Sequence, residues 1–192
     1  MKTKQDRITA SDLRRLISLD PETGELSWML RGPEWFAGGC GRYTPERIAK
    51  IWNKRYAGTP ALNSAHSMGY RSGKVLYVDM LAHRVVWALS HGEWPTNTID
   101  HINGDKTDNR PSNLRDVMHA ENMKNLPYRG GASSGHIGVW HRAKNRKFDA
   151  YLTIAGKKKH VGSFSTLDEA VAARASAAAN AGYHLNHGRA QE

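Results

Sequence analysis

Residues 99 to 125 read IDHINGDKTDNRPSNLRDVMHAENMKN and hold the highest density of chemistry-bearing side chains in the chain. Cutting a phosphodiester needs a base to deprotonate water, a divalent cation to stabilise the leaving 3′ oxygen and the charged phosphorane-like state, and groups that hold both. His101 is a candidate base, because a neutral imidazole titrates near operating pH. Asp100 offers a hard carboxylate oxygen suited to Mg²⁺ and Asn122 an amide oxygen as a second ligand, leaving the other positions to water and phosphate. His119, Asn122 and Asn125 recur at three-residue spacing on an expected helix, with His119 the alternative ligand. A plainer reading of the same residues has Asp100, Asp105 and Asp108 making turns in a loop built from Asp, Asn and Gly, with His101 incidental.

The elements that must position these groups read as strand, loop, short strand and helix. Adjacent residues on a regular strand face opposite ways, so Asp100 and His101 can flank one phosphate only if the strand ends or twists there; Asn103-Gly104 is a reason for it to do so. Before this segment, Leu81 to Ser90 predicts a helix closed by Gly92, on which His83 reads as a packed histidine. Gly69 to Val78 predicts a hairpin turning at Ser72-Gly73. Further upstream, Thr9 or Ser11 caps a helix carrying Leu13, Leu16 and Ile17, and Pro21 to Gly24 turns into Glu25 to Trp28. The Gly- and aromatic-rich residues 31 to 43 read as loop, without the spacing of a nucleotide-binding turn. A second helix starts at Thr44-Pro45 and places Ile48, Ile51 and Trp52 in the core.

The chain has 192 residues and a net charge of +10, with 28 Lys+Arg against 18 Asp+Glu. A balance of 39% hydrophobic and 24% charged residues is that of a chain able to bury a core. Its one cysteine, Cys40, excludes a disulfide framework and a Cys-based zinc finger and points to a reducing compartment. No apolar run approaches the roughly 20 residues that span a bilayer, and the first residues carry no apolar leader, so a soluble cytoplasmic protein without a membrane partner is expected. The charge is concentrated: residues 137 to 165 hold seven cations and one acid, whereas residues 99 to 125 hold four cations and five acids. A one-signed cluster of that size is an electrostatic footprint for phosphate.

Ile99 to Asn125, with D-H-I-N-G-D-x-x-D-N-R-x-x-N-L-R and a later Asn, resembles the H-N-H homing-type endonucleases, the ββα-metal nucleases of phages and mobile introns. Leu81 to Trp87 and Gly92 to Pro95 look like the lead-in common in that family. The resemblance implies that Asp100 binds the metal, His101 is the general base, Asn113 braces the loop and the base, and Asn122 is the second metal ligand, Asn standing where the family name has its last His. Asn109 and Arg110 match the family's D-N-R, the first as a structural residue and the second as a phosphate contact or the partner of a nearby acid.

Residues 136 to 187 predict three antiparallel strands with turns at Ala143 to Arg146 and Ala155-Gly156, then a helix opened by the capping box Thr166-x-x-Glu169. Its small residues let the helix lie close on one sheet face and leave the other open, cationic and aromatic, fit for a major groove. G-V-W-x-R, K-F-x-A-Y-L, H-V-G-S-F and T-x-x-E-A also resemble the DNA-binding domain of plant ethylene-response (APETALA-type) factors. That resemblance puts Trp140, Arg142, Lys147, Tyr151, Thr153, Lys158, His160 and Ser163 at DNA-facing positions. Tyr151 and His160 depart from the residues usual there, so the plant target sequence does not carry over. His184 and His187 read as a frayed helix end.

The expected fold is α+β, a ββα-metal nuclease core plus a C-terminal three-stranded antiparallel sheet packed on one helix. The expected organisation is an N-terminal α+β region (1–95), the nuclease motif (96–127), a linker (128–135) and the DNA-binding sheet (136–187). The expected function is a Mg²⁺-dependent endodeoxyribonuclease that nicks double-stranded DNA as a monomer, with no small-molecule cofactor beyond the metal. The C-terminal sheet and the basic N-terminal region would hold the duplex. The alternative is a non-catalytic DNA-binding regulator that keeps the nuclease fold.

Overall fold

The computed structural model describes residues 7–37, 41–118, 122 and 132–183, and the chain divides into two compact units, residues 1–117 and 118–192. In the first unit α1 (Ala10–Leu16) runs directly into the hairpin β1 (Ile17–Leu19) and β2 (Leu26–Trp28). Thr9 caps α1 by a reciprocal box with Asp12, which satisfies backbone donors that the first turn leaves open. Next come a 3₁₀ turn (Pro33–Phe36), α2 (Pro45–Tyr56), the three-stranded antiparallel sheet β3 (Ser64–Ala65), β4 (Arg71–Val75) and β5 (Val78–Leu81), and α3 (Ala82–His91). The strand pair β6 (Thr98–His101) and β7 (Leu114–Val117) closes this unit.

One core joins these pieces. Leu13, Leu16 and Ile17 pack with Val85, Val86 and Leu89 of α3, with Val75 and Met80 of the central sheet, and with Ile99 and Leu114 of the last strand pair. Each such aliphatic side chain contributes about 1.5–3 kcal/mol by leaving water, so β6 and β7 are anchored to α3 by apolar burial. Among the described residues no helix is long and apolar enough to cross a membrane.

Two sequence expectations fail here. The β4–β5 hairpin turns at Leu76-Tyr77, both with positive φ (48° and 66°), and not at Ser72-Gly73. Gly73 lies inside β4, where a Cβ would stand 2.9 Å from the Leu62 Cα; close backbone approach, not a turn, is why glycine sits there. Ile51 of α2 is 54% exposed, not core. The inner side of that helix is made by Ala49, Trp52 and Asn53, the Asn53 amide both donating to and accepting from the Arg31 backbone at 2.9 Å.

The second unit holds the antiparallel sheet β8 (Val139–Arg142), β9 (Lys147–Ile154) and β10 (Lys157–Phe164), in the order β10-β9-β8, and α4 (Leu167–Asn180) packed on it. Thr166 and Glu169 form the expected capping box. Val139, Ala150 and Ala170 make the core, with Phe148, Val161, Phe164, Leu167 and Val171 against it. The positive φ of Ala155 (50°) and Gly156 (76°) makes the tight turn between β9 and β10.

Candidate active site and nucleic-acid interface

Asp100 and His101 end β6, which pairs with β7 in a register that sets Asp100 opposite Arg115 and His101 opposite Leu114. Entry into the strand is fixed by Asp116, whose carboxylate accepts from the Thr96 N–H (2.8 Å) and hydroxyl (3.1 Å) and from the Asn97 N–H (2.9 Å). The strand stops where expected, the Gly104 N–H closing a turn on the His101 carbonyl at 2.9 Å. The Asp100 and His101 side chains take different neighbours. Asp100 Oδ2 accepts from Arg115 Nε and Nη2 at 2.9 and 2.7 Å, and both side chains are largely buried.

His101 is 4% exposed and its Nε2 lies 3.1 Å from Asn109 Oδ1. An amide oxygen can only accept, so Nε2 carries the proton and Nδ1 the lone pair of the neutral ring. The ring also packs against Tyr70 (5.9 Å between centroids) and edge-on to His83 (5.2 Å). Burial holds the His101 imidazole below its ordinary pKa, opposed by the Asn109 hydrogen bond and the Asp100, Asp105 and Asp108 carboxylates. The group is therefore neutral at pH 7, the form a base needs.

Asn113 braces the loop, and its side-chain hydrogen bonds go there. Its amide accepts from the Asn103 N–H (3.0 Å) and donates to Asn103 Oδ1 (3.0 Å) and the Asp108 carbonyl (2.8 Å). The residue bonded to His101 is Asn109, expected from the sequence to be structural. The loop carrying Asn109 is seated on the β1–β2 turn: a Cβ on Gly24, whose φ is 74°, would stand 2.3 Å from the Asn109 carbonyl carbon. Only glycine fits that approach. Arg110 pairs with an acid, donating to Asp108 at 2.8 and 2.6 Å, and this guanidinium first of all holds the Asp108 carboxyl down at about 2.

His83 is buried with Nδ1 lacking a hydrogen-bond partner, and burial first, then His101 and Arg84, hold its pKa down at about 3. Below pH 6.5 the unfolded chain binds a proton at this site that the folded chain refuses, so stability is complete above that pH and is lost as the pH falls. His83→Phe should flatten the loss of stability between pH 6.5 and 5, and what remains of the slope includes the part His101 contributes in the same direction. Urea melts across that range check this, and an unchanged slope would assign the acid sensitivity elsewhere.

Asn122 is helical and half-buried, its N–H donating to the Met118 carbonyl at 3.1 Å, and it falls in the second unit. His119, Asn125, His184, His187 and Cys40 lie outside the described residues. Among the described residues no group of three or more His, Cys, Asp or Glu is set to hold a metal ion.

On the C-terminal sheet, Trp140 and Arg142 of β8, Lys147, Tyr151 and Thr153 of β9, and Lys158, His160 and Ser163 of β10 share the face away from α4. A bulge between His160 and Gly162 shifts the alternation by one residue and brings Ser163 back to this face. Lys158 Nζ lies over the Tyr151 ring (4.2 Å) and the Trp140 ring (5.4 Å). At the centre is a residue the sequence reading passed over. Asp149 is 3% exposed, accepts from Ser163 Oγ at 2.5 Å and pairs with Arg142 Nη2 at 2.5 Å. The Ser163 hydroxyl first, and the Arg142 guanidinium after it, hold its carboxyl below the usual range. Its position opposite both Trp140 and Ser163 is a cross-strand signal that appears only once register is known.

An antiparallel strand pair ending on Asp-His, with an Asn-braced loop between its strands, is consistent with the ββ portion of a ββα-type core of the HNH fold. Residues 80–124 match the family model of the HNH endonucleases (HNH_3), a span that begins in β5 and takes in α3, β6, the loop and β7. The match does not extend to residues 136–187. No curated protein matches the chain, and no solved structure does.

Proposed function

We propose that the protein is a metal-dependent endodeoxyribonuclease that nicks duplex DNA. The observation that carries this reading is the His101–Asn109 hydrogen bond, within the HNH-matched segment, which engages Nε2 of a neutral imidazole and leaves Nδ1 as its basic nitrogen. His101 takes the proton from the attacking water, Asn109 and the Tyr70 and His83 rings hold its imidazole in one orientation, and Asn113 keeps the loop from moving away. The Asp100 carboxylate is a hard oxygen donor of the kind that suits Mg²⁺, with water completing the shell. Such an ion, when bound, stabilises the negative charge on the phosphate and the leaving oxygen. Arg115 keeps the Asp100 carboxylate fixed at the strand end.

The same reading assigns the open face of the C-terminal sheet to duplex DNA, as in the plant ethylene-response-type domains it resembles, with the protein acting as a monomer. Arg142, aimed by Asp149, is the base-reading residue, and Lys158 is a phosphate contact. Arg142→Ala should weaken specific binding by about 1–3 kcal/mol, whereas Lys158→Ala should lower the salt slope of binding by about one unit for any sequence. Binding isotherms on specific and random duplexes over a salt series decide this, and the sheet is misassigned if both variants match wild type. The test of the reading as a whole is a supercoiled-plasmid nicking assay with Mg²⁺ beside EDTA. Nicking with Mg²⁺ that EDTA abolishes is expected; binding without nicking under any divalent ion would favour the non-catalytic regulator.

A further inference from the structure

Helix α2 carries a second cationic surface, within the first unit. Its outer side exposes Arg47, Lys50, Ile51, Lys54 and Arg55, with Glu46 the one acid. At 100° per residue these five positions fall within a sector of about 140°, and they extend about 12 Å along the axis. None of the four cations is in an ion pair among the described residues. Arg47 and Arg55 lie over the Tyr43 and Tyr56 rings at 4.7 and 5.2 Å, so apolar and cationic surface alternate around the 54% exposed Ile51.

The inner side of α2 is held down. The Arg31 guanidinium lies 3.9 Å from the Trp52 ring centroid and 4.8 Å from that of Trp28, and the two tryptophans meet edge to face at 5.8 Å. Arg31 is itself buried, with no carboxylate partner among the described residues and with Nε unsatisfied there. A helix pinned on one side by stacked rings and hydrogen bonds, with exposed cations on the other, is preorganised for a polyanion. A membrane surface does not fit, because the exposed apolar groups here, Ile51 with the Tyr43 and Tyr56 rings, are interleaved with cations and form no continuous apolar face. The occupant that fits is duplex DNA: its major groove admits an α-helix, its phosphates match the cations, and the thymine methyl is a partner for Ile51.

We infer that α2 docks on duplex DNA through Arg47, Lys50, Lys54 and Arg55, as a contact separate from the C-terminal sheet. This rests on the nuclease reading for the choice of DNA. The experiment uses the full chain, a labelled duplex and EDTA, so that binding is measured without cleavage. The Lys50→Ala/Lys54→Ala double variant keeps helix propensity, since alanine is the better helix former. The slope of log affinity against log salt should fall by roughly 1.8, about 0.9 for each phosphate contact removed. A variant that binds with the wild-type slope overturns the inference and leaves the nuclease reading standing, the stripe then belonging to an acidic protein surface. Wild-type protein that fails to bind duplex at all overturns both.

Discussion

Replacing His101 with alanine is expected to slow plasmid nicking by about 10² to 10⁴-fold while duplex affinity stays near that of wild type. The size follows from what a positioned base contributes. The absence of a binding effect follows from burial: His101 is 4% exposed, and its imidazole is held neutral by desolvation, so it offers DNA neither surface nor charge. Asn109, Tyr70 and His83 hold the ring in a fixed tautomer and plane. Alanine removes the base and leaves the Asn113-braced loop intact. Single-turnover nicking at saturating enzyme, measured beside anisotropy binding, separates the two effects. An unchanged nicking rate would remove His101 from the chemistry, and a parallel loss of binding would make it a structural residue.

The second large effect concerns Arg115. Its Nε and Nη2 both reach one oxygen of Asp100, which sits in a largely buried setting. Arg115 donates two charge-assisted hydrogen bonds to a carboxylate that is itself 7% exposed, and Arg115→Ala, which removes both, should cost about 2 kcal/mol. Asp100→Asn/Arg115→Ala should recover part of that loss, since a neutral amide is cheaper to keep there than a carboxylate that has lost two donors. Urea unfolding with an unchanged m-value and a shifted midpoint gives the number. A single variant within about 0.5 kcal/mol of wild type would mean that other groups hold Asp100 equally well.

The strand–loop–strand course of residues 98–117 was legible because Asp, Asn and Gly cluster between two apolar entries, and the capping box of α4 was written in its Thr-x-x-Glu spacing, whereas the start of α1 left Thr9 and Ser11 both open until Asp12 was seen to close the box on Thr9. The open face of the C-terminal sheet was legible from period-two alternation. Side-chain partners inside irregular backbone were not. Asn109 and Asn113 are the same residue type in the same loop, and no periodicity says which one meets His101. The Asp100–Arg115 pair needed a register, which follows once His101 is set opposite Leu114. Ile51 fits the spacing of a buried face, yet the helix is rotated by Trp52 stacking on Arg31 and by Asn53 bonding the Arg31 backbone, neither of which counts as apolar pattern. The Leu76-Tyr77 turn was hidden because its positive φ values fall on residues that rarely adopt them.

Asp149 ties the orientation of Arg142 to the hydroxyl of Ser163 through one buried carboxylate. Positions 142, 149 and 163 are therefore coupled: a change at 149 releases the Arg142 guanidinium and the Ser163 hydroxyl from their shared acceptor, and a change at 142 leaves a buried acid without its counter-charge. Under the DNA-binding reading proposed above, variation at these three positions is expected to be inherited jointly and not site by site.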